Sequence, residues 1–183
     1  MLEFNYDLNY KELDFTDEET RKLYRIGRGE QGVLLVRPYT NDICAHWRFK
    51  TPKIAIESAH AIFDMYLDYL EQQDFIGMDM CRKFLEMGFT RSRRYANHRT
   101  GKKYDDEGKV RPQEPDHATC DFAKSARIFK NVRDMVAKNE IYINMRKEWR
   151  SNESTHATRV DTLAAASNVK RTFYSRRSNE VHR

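Results

Sequence analysis

Residues 51–88 read TPKIAIESAHAIFDMYLDYLEQQDFIGMDMCRKFLEMG, and this stretch decides the expected fold class. The pair Thr51–Pro52 is typical of a helix start, because threonine accepts from the free amides of the first turn and proline withholds no needed donor. Apolar residues then recur at three- and four-residue steps to about Gln73, which predicts an amphipathic helix. Asp74 is a candidate cap for a second helix, which we expect Gly88 to end. The two helices should pack as a hairpin.

The residues before this hairpin favour a small sheet. Between Leu23 and Tyr39 the runs LYRI and VLLV flank the glycine-rich segment GRGEQG, which predicts two strands joined by a tight turn and closed by Pro38. A third short strand is expected over His46–Phe49. The acidic start of the chain alternates apolar and polar residues from Phe4 to Phe15, which indicates an extended segment docked on the body. The sequence therefore predicts a small antiparallel sheet near the N-terminus.

Helical periodicity returns in the second half of the chain. A loop is expected over Asp105–Asp116, a helix from about Thr119 to Lys138, and a last helix capped by Asn139. The expected fold class is α+β, a mostly helical single domain with a small antiparallel sheet near the N-terminus. We expect one compact domain over residues 1–150 and a flexible basic tail over residues 151–183.

Composition restricts the kind of protein. Of the 183 residues, 39% are hydrophobic and 33% are charged, which suits one folded domain. No stretch approaches the length of about 18 apolar residues that a membrane-spanning helix needs, and the N-terminus is acidic where a signal peptide would be basic. We therefore expect no membrane partner and a cytoplasmic location, in the host cytoplasm or a virion if the protein is phage-encoded.

The segment Arg82–Lys103, called here the basic segment, is the candidate binding surface. It carries eight basic residues against Glu86 alone, whereas residues 1–19 carry seven acids against Lys11. Guanidinium groups present paired donors that match phosphate oxygens, and tyrosines can stack on bases. Nucleic acid is therefore the expected partner. The predicted nucleic-acid- or phosphate-binding residues are Arg82, Arg91, Arg93, Arg94, Tyr95, Asn97, His98, Arg99, Lys102, Lys103 and Tyr104.

Other interpretations of the same residues stay open. The arginines are alternatively part of a solvated face, paired with nearby carboxylates, or they meet a protein partner, as in a phage-type structural protein. A third alternative is an enzyme that acts on a phosphate ester or nucleotide with His98 moving a proton, although no spacing marks a catalytic set. The pattern GxGxxG over Gly27–Gly32 lacks the following helix that a dinucleotide site needs. Three isolated cysteines predict no metal site, and no cofactor is expected.

Several separated runs of unusual sequence occur in one order along the chain. They are GRGEQGVLLV from Gly27, HWRFKTP from His46, GMDMCRKFLEMG from Gly77, RRYANH from Arg93 and KYD from Lys103. Over roughly Phe4 to Trp149 these runs resemble the bacterial and phage family named domain of unknown function 4385. The resemblance implies a compact single-domain protein of bacterial or phage origin, and it transfers no activity, cofactor or site residue.

Overall fold

The computed structural model describes residues 4–153, and these residues form six helices. The predicted sheet is wrong. Within residues 4–153 there is no strand, and the nearest approach to one is an isolated antiparallel bridge between Tyr104 and Val110. The helices are α1 (Glu18–Arg21), α2 (Tyr39–His46), α3 (Pro52–Glu71), α4 (Phe75–Asn97), α5 (Asp121–Ala137) and α6 (140–153, where the described chain ends).

Local turns replace the two strands expected between Leu23 and Tyr39. The amides of Gln31, Val33 and Leu35 each donate to the carbonyl oxygen three residues earlier, so their hydrogen bonds do not cross to a neighbouring strand. Val33 and Val36 are both buried. Because these two core residues are three positions apart, the apolar run fills the core with a turn-like spacing instead of the two-residue alternation of a strand.

Helix α2 was not predicted from the sequence, and it ends at His46, where the third strand was expected to begin. The hydroxyl of Thr40 donates to the carbonyl oxygens of Val33 and Val36, both at 2.9 Å, and fixes the helix start on the preceding turns. Beyond α2, the indole Nε1 of Trp47 donates to the carbonyl oxygen of Phe84 in α4 at 3.1 Å. The segment 46–49 therefore contacts α4 through a side chain and forms no ladder.

The helical hairpin is confirmed, together with both of its predicted caps. The hydroxyl of Thr51 accepts from the amide of Ile54 at 3.3 Å. Oδ1 of Asp74 accepts from the amides of Ile76 at 3.1 Å and Gly77 at 3.2 Å. Both caps satisfy amides that have no partner inside their own helix.

The predicted end of α4 at Gly88 is wrong, because the helix continues to Asn97. An added Cβ at Gly88 would lie 2.4 Å from a ring carbon of Phe129 in α5. The glycine therefore permits close packing of two helices, and the basic segment, predicted to leave the helix at Gly88, stays helical to Asn97. Helix α5 and the cap of α6 agree with expectation, since Oδ1 of Asn139 accepts from the amide of Tyr142 at 3.0 Å.

The two ends of the described chain pack on the helical core. At the start, the ring of Tyr10 stacks between Phe4 at 5.4 Å and Phe15 at 6.0 Å, so the acidic segment is docked. At the end, a carboxylate oxygen of Glu153 accepts from the amide of Ile26 at 2.7 Å. The expected flexible basic tail lies outside the described residues, except for residues 151–153, which are helical.

No helix within residues 4–153 combines the length and the apolar character that a transmembrane helix requires.

Candidate functional site

Helix α4 carries a buried carboxylate, Asp79, that gathers four partners. The hydroxyl of Tyr24 donates to its Oδ2 at 2.5 Å, and the hydroxyl of Tyr142 donates to its Oδ1 at 2.6 Å. Nε of Arg82 donates to Oδ1 at 2.8 Å, and Nζ of Lys83 lies 3.6 Å from Oδ2. These five residues, called the Asp79 cluster, join α4 to the N-terminal segment and to α6.

The protonation states of the Asp79 cluster follow from burial and from the neighbouring charges. Burial alone would raise the pKa of Asp79, but Arg82, Lys83 and the two hydroxyls hold it well below its usual range. Burial lowers the pKa of Lys83 to about 8, although the nearby carboxylate opposes the fall. Burial also raises the pKa of Tyr24 and Tyr142 well above the usual value, so both hydroxyls stay neutral donors.

A pocket of about 350 Å³ opens beside the Asp79 cluster, and it is called here the basic pocket. Arg146 and Arg150 stand four residues apart on α6, which places them on one face of the helix. The Nε atoms of both arginines are buried and have no hydrogen-bond partner among residues 4–153. The lining residues are Arg82, Ala137, Tyr142, Ile143, Arg146, Lys147 and Arg150.

Several residues of the basic segment are engaged inside the protein. Arg82 belongs to the Asp79 cluster, and its side chain is only 11% exposed. Arg93 donates to the carbonyl oxygen of His117 at 3.1 Å and to Oδ1 of Asn97 at 2.8 Å. His98 is 6% exposed. These three side chains therefore contribute to the fold, and they are buried or only partly exposed to solvent.

Two further members of the basic segment have protein partners. Arg99 forms ion pairs with Glu114 at 3.3 Å and Asp116 at 3.4 Å, although its side chain is 71% exposed. The ring of Tyr95 lies between aromatic rings, with centroid distances of 5.9 Å to Phe49 and 5.4 Å to Phe122. Tyr95 therefore packs in an aromatic contact and does not offer a free face for stacking.

The exposed remainder of the basic segment consists of Arg91, Arg94, Lys102 and Lys103, and these four are called the open cations. No carboxylate within residues 4–153 forms an ion pair with any of them. Tyr104 follows directly in the chain. It is 52% exposed, with Nζ of Lys103 at 5.3 Å from its ring centroid.

The loop that carries the two lysines folds back onto α4. An added Cβ at Gly101 would lie 3.0 Å from the ring of Tyr95, which shows that this loop residue touches the helix next to Arg94. The positive φ of 73° at Gly101 permits the turn. Gly101, which precedes Lys102, thus packs against α4 at Tyr95.

The glycine-rich segment Gly27–Gly32 forms a turn against α4. The hydroxyl of Thr90 donates to a carboxylate oxygen of Glu30 at 2.7 Å, and Nη2 of Arg82 lies 3.5 Å from the carbonyl oxygen of Gly29. The ring of Phe4 covers Gly32, where an added Cβ would lie 2.2 Å from it. The segment therefore has a packing role beside α4.

The basic pocket was missed in the sequence analysis. A signal was present, because Arg146 and Arg150 are four residues apart in a segment predicted to be helical. The sequence could not predict that they lie in one pocket with Arg82, since this position depends on how α6 packs against α4. Among the described residues, no group of three or more His, Cys, Asp or Glu side chains is placed to hold a metal ion.

Comparison with known proteins identifies one family. The sequence model of the family described as Domain of unknown function (DUF4385) matches residues 5–152. No curated protein and no solved structure matches the chain. The family match agrees with the resemblance noted from the separated sequence runs, and a bacterial or phage origin stays a prediction.

Proposed function

We propose that this chain, which belongs to the DUF4385 family, binds the phosphate backbone of nucleic acid through the open cations. One observation carries the proposal: Arg91 and Arg94 stand one turn apart on α4, both exposed, without an ion-pair partner among the described residues. Guanidinium groups in this state keep their paired donors available for phosphate oxygens. Lys102 and Lys103 add point charges from the adjoining loop.

The proposed surface is smaller than the basic segment from which it was inferred. Arg82 and Arg93 are engaged inside the protein, and Arg99 is paired with two carboxylates. A small set of phosphate contacts predicts binding that weakens as salt rises, with little preference for sequence, because backbone contacts carry no base information. A nucleic-acid partner also accords with the predicted cytoplasmic location, or a virion if the gene is phage-borne.

The test is a salt series with labelled DNA and RNA. Replacing Arg91 and Arg94 together by Ala should lower the slope of log affinity against log salt by about 2, one for each lost phosphate contact. The matched control replaces Lys124 and Lys130 on α5 by Ala, because both are exposed cations that already pair with carboxylates. Undetectable binding of the unmodified protein at low salt, or an equal effect in the control, would contradict the proposal.

A protein-interaction role is the second candidate, and a hollow of about 310 Å³ beside Arg91 favours it. Tyr6 and Leu34 line this hollow and are 59% and 52% exposed. Oligomers seen by light scattering without nucleic-acid binding would support this role. The enzyme alternative gains no support from the placement of His98, because a buried ring is poorly placed to exchange a proton with a substrate at the surface.

A further inference from the structure

The basic pocket holds positive charge that the described carboxylates do not balance. Asp79 is shared between Arg82 and Lys83. Arg146, Lys147 and Arg150 form no ion pair with any residue between 4 and 153. Like charges held this close repel each other, so the pocket favours an anion.

The carboxylates nearest in the chain have other partners. Glu86 lies one turn after Arg82 on α4, but it accepts from Arg133 at 2.7 Å. Glu153 lies one turn after Arg150 on α6, but it accepts from the amide of Ile26 at 2.7 Å. Neither carboxylate lines the pocket. The excess charge therefore has no compensating group from these neighbours.

The two arginines of α6 also leave donors unused. Nε of Arg146 and Nε of Arg150 are buried without a partner in the described part of the chain. A buried charged donor without a partner is unfavourable, because it has lost its hydrogen bond to water and gained none in the protein. The guanidinium Nη atoms of Arg146 and Arg150 form no ion pair within residues 4–153, so an oxyanion in the pocket would accept from donors that an apolar ligand would leave unused.

We propose that the basic pocket binds a phosphate monoester. A monoester is dianionic at neutral pH, because its second pKa is about 6, whereas a phosphodiester within a backbone carries a single charge. Its three terminal oxygens match the forked donors of the arginines. The pocket volume of about 350 Å³ accepts the phosphate with part of its substituent, which Ala137 and Ile143 contact as the apolar wall.

This proposal is independent of nucleic-acid binding by the open cations. Two sources supply the same chemistry: a free small molecule such as a nucleoside monophosphate, and the terminal 5′-phosphate of a nucleic acid. Both ligands carry a terminal monoester group, whereas the internal phosphates of a nucleic-acid backbone are diesters. The first measurement therefore tests whether the pocket binds phosphate, and the second tests whether a terminal monoester is needed and which source supplies it.

The first measurement is calorimetric titration of the full chain with inorganic phosphate at constant ionic strength. We expect saturable binding that Arg146→Ala weakens by about tenfold or more, since a hydrogen bond to a charged group is removed. Arg150→Lys keeps the charge but loses the fork, so it should weaken binding by a smaller factor. Circular dichroism shows whether Arg146→Ala is folded. If it is not, the test uses Arg150→Lys, which keeps the positive charge and most of the side-chain volume.

The controls separate this pocket from the open cations. Lys124→Ala on α5 and the double replacement of Arg91 and Arg94 by Ala should leave the affinity for phosphate unchanged. An equal loss in either control would show that net charge alone is responsible and would overturn the proposal. Absence of saturation in the unmodified protein would overturn it as well.

The second measurement compares ligands with and without the monoester. Adenosine monophosphate is compared with adenosine, and a 5′-phosphorylated oligonucleotide with its 5′-hydroxyl form. A preference of about tenfold for either phosphorylated ligand supports the pocket and identifies the source, provided that Arg146→Ala or Arg150→Lys reduces it. Equal affinity within both pairs would refute the monoester assignment, even where the open cations still bind the oligonucleotides.

Discussion

The hydroxyl of Tyr24 donates a 2.5 Å hydrogen bond to Oδ2 of Asp79, and this contact ties the irregular segment between α1 and α2 to the N-terminal part of α4. Tyr142 makes the equivalent contact from α6 with Oδ1. A fully buried carboxylate is tolerated only when its charge is compensated and its lone pairs are used. Asp79 therefore joins three elements that are far apart in the chain.

Replacing Asp79 by Asn should strongly destabilise the protein. The change leaves Arg82 and Lys83 buried without their counter-charge, and breaking a buried ion pair costs about 3–5 kcal/mol in the free energy of unfolding. Urea denaturation measures the change. Asp64→Asn on the exposed side of α3 is the control and should alter stability by no more than about 0.5 kcal/mol. A loss below about 1 kcal/mol for the Asp79 variant would contradict this role.

The two tyrosines should act cooperatively, because they share one carboxylate. Tyr24→Phe and Tyr142→Phe each remove a hydrogen bond to a charged group, worth about 1.5–3 kcal/mol. In a double-mutant cycle we expect a coupling energy above about 0.5 kcal/mol, since residues in one hydrogen-bond network are not independent. Urea unfolding of the four proteins measures it. Strict additivity would show that the two hydroxyls act separately.

Lys83 should contribute stability that increases with pH. Burial lowers its pKa to about 8 in the folded protein, whereas the unfolded chain has the ordinary lysine value of 10.5. Between these values the unfolded state binds more protons at this residue, so its contribution to the free energy of unfolding increases by at most about 3 kcal/mol as pH rises above about 8. Cys81 acts in the opposite direction in the same range, because burial raises the pKa of its thiol well above the usual value and the unfolded chain loses that proton first.

Lys83→Met provides the comparison for this pH dependence. The variant keeps a long apolar stem but has no titratable group at this position, so the free energy of unfolding of the unmodified protein should increase relative to that of the variant between about pH 8 and 10. Urea unfolding of both proteins at several pH values measures the difference, in which the effect of Cys81 cancels. A difference that stays constant over this range would contradict the assignment to Lys83.

Replacing Gly88 by Ala should weaken the contact between α4 and α5. The added methyl would stand 2.4 Å from the ring of Phe129, so the helices must separate or the ring must leave its position. Overpacking of this kind costs about 1–3 kcal/mol, despite the better helix propensity of alanine. Asn131→Ala, at an exposed site on α5, is the control for thermal unfolding and should change stability by less than about 0.5 kcal/mol. A stabilised Gly88 variant would contradict the packing role.

Tyr104 should contribute to binding of single strands if the open cations hold nucleic acid. Its ring is half exposed beside Lys103, and stacking on one base is worth about 1–3 kcal/mol. Tyr104→Ala should therefore weaken single-strand binding and leave duplex binding nearly unchanged, as measured by fluorescence anisotropy. Leu67→Ala, which removes a large exposed side chain on α3, is the control. Equal losses for both variants would argue against a specific stacking position.

The parts of the fold that the sequence predicted correctly depend on short-range interactions. Thr51, Asp74 and Asn139 cap the helices that they were expected to cap, because each side chain bonds amides two or three residues away. The sheet and the helix end at Gly88 were predicted wrongly. A glycine can end a helix or admit a neighbouring ring, and only the position of Phe129 distinguishes the two.

The same division applies to the candidate sites. The sequence by itself determined that cations concentrate between Arg82 and Lys103. Only the tertiary structure decided which cations are neutralised and which remain available, and it alone joined Arg82 to α6 in the basic pocket. The physical reason is that ion pairing and desolvation act through space over a few ångströms, between residues that the chain order leaves far apart.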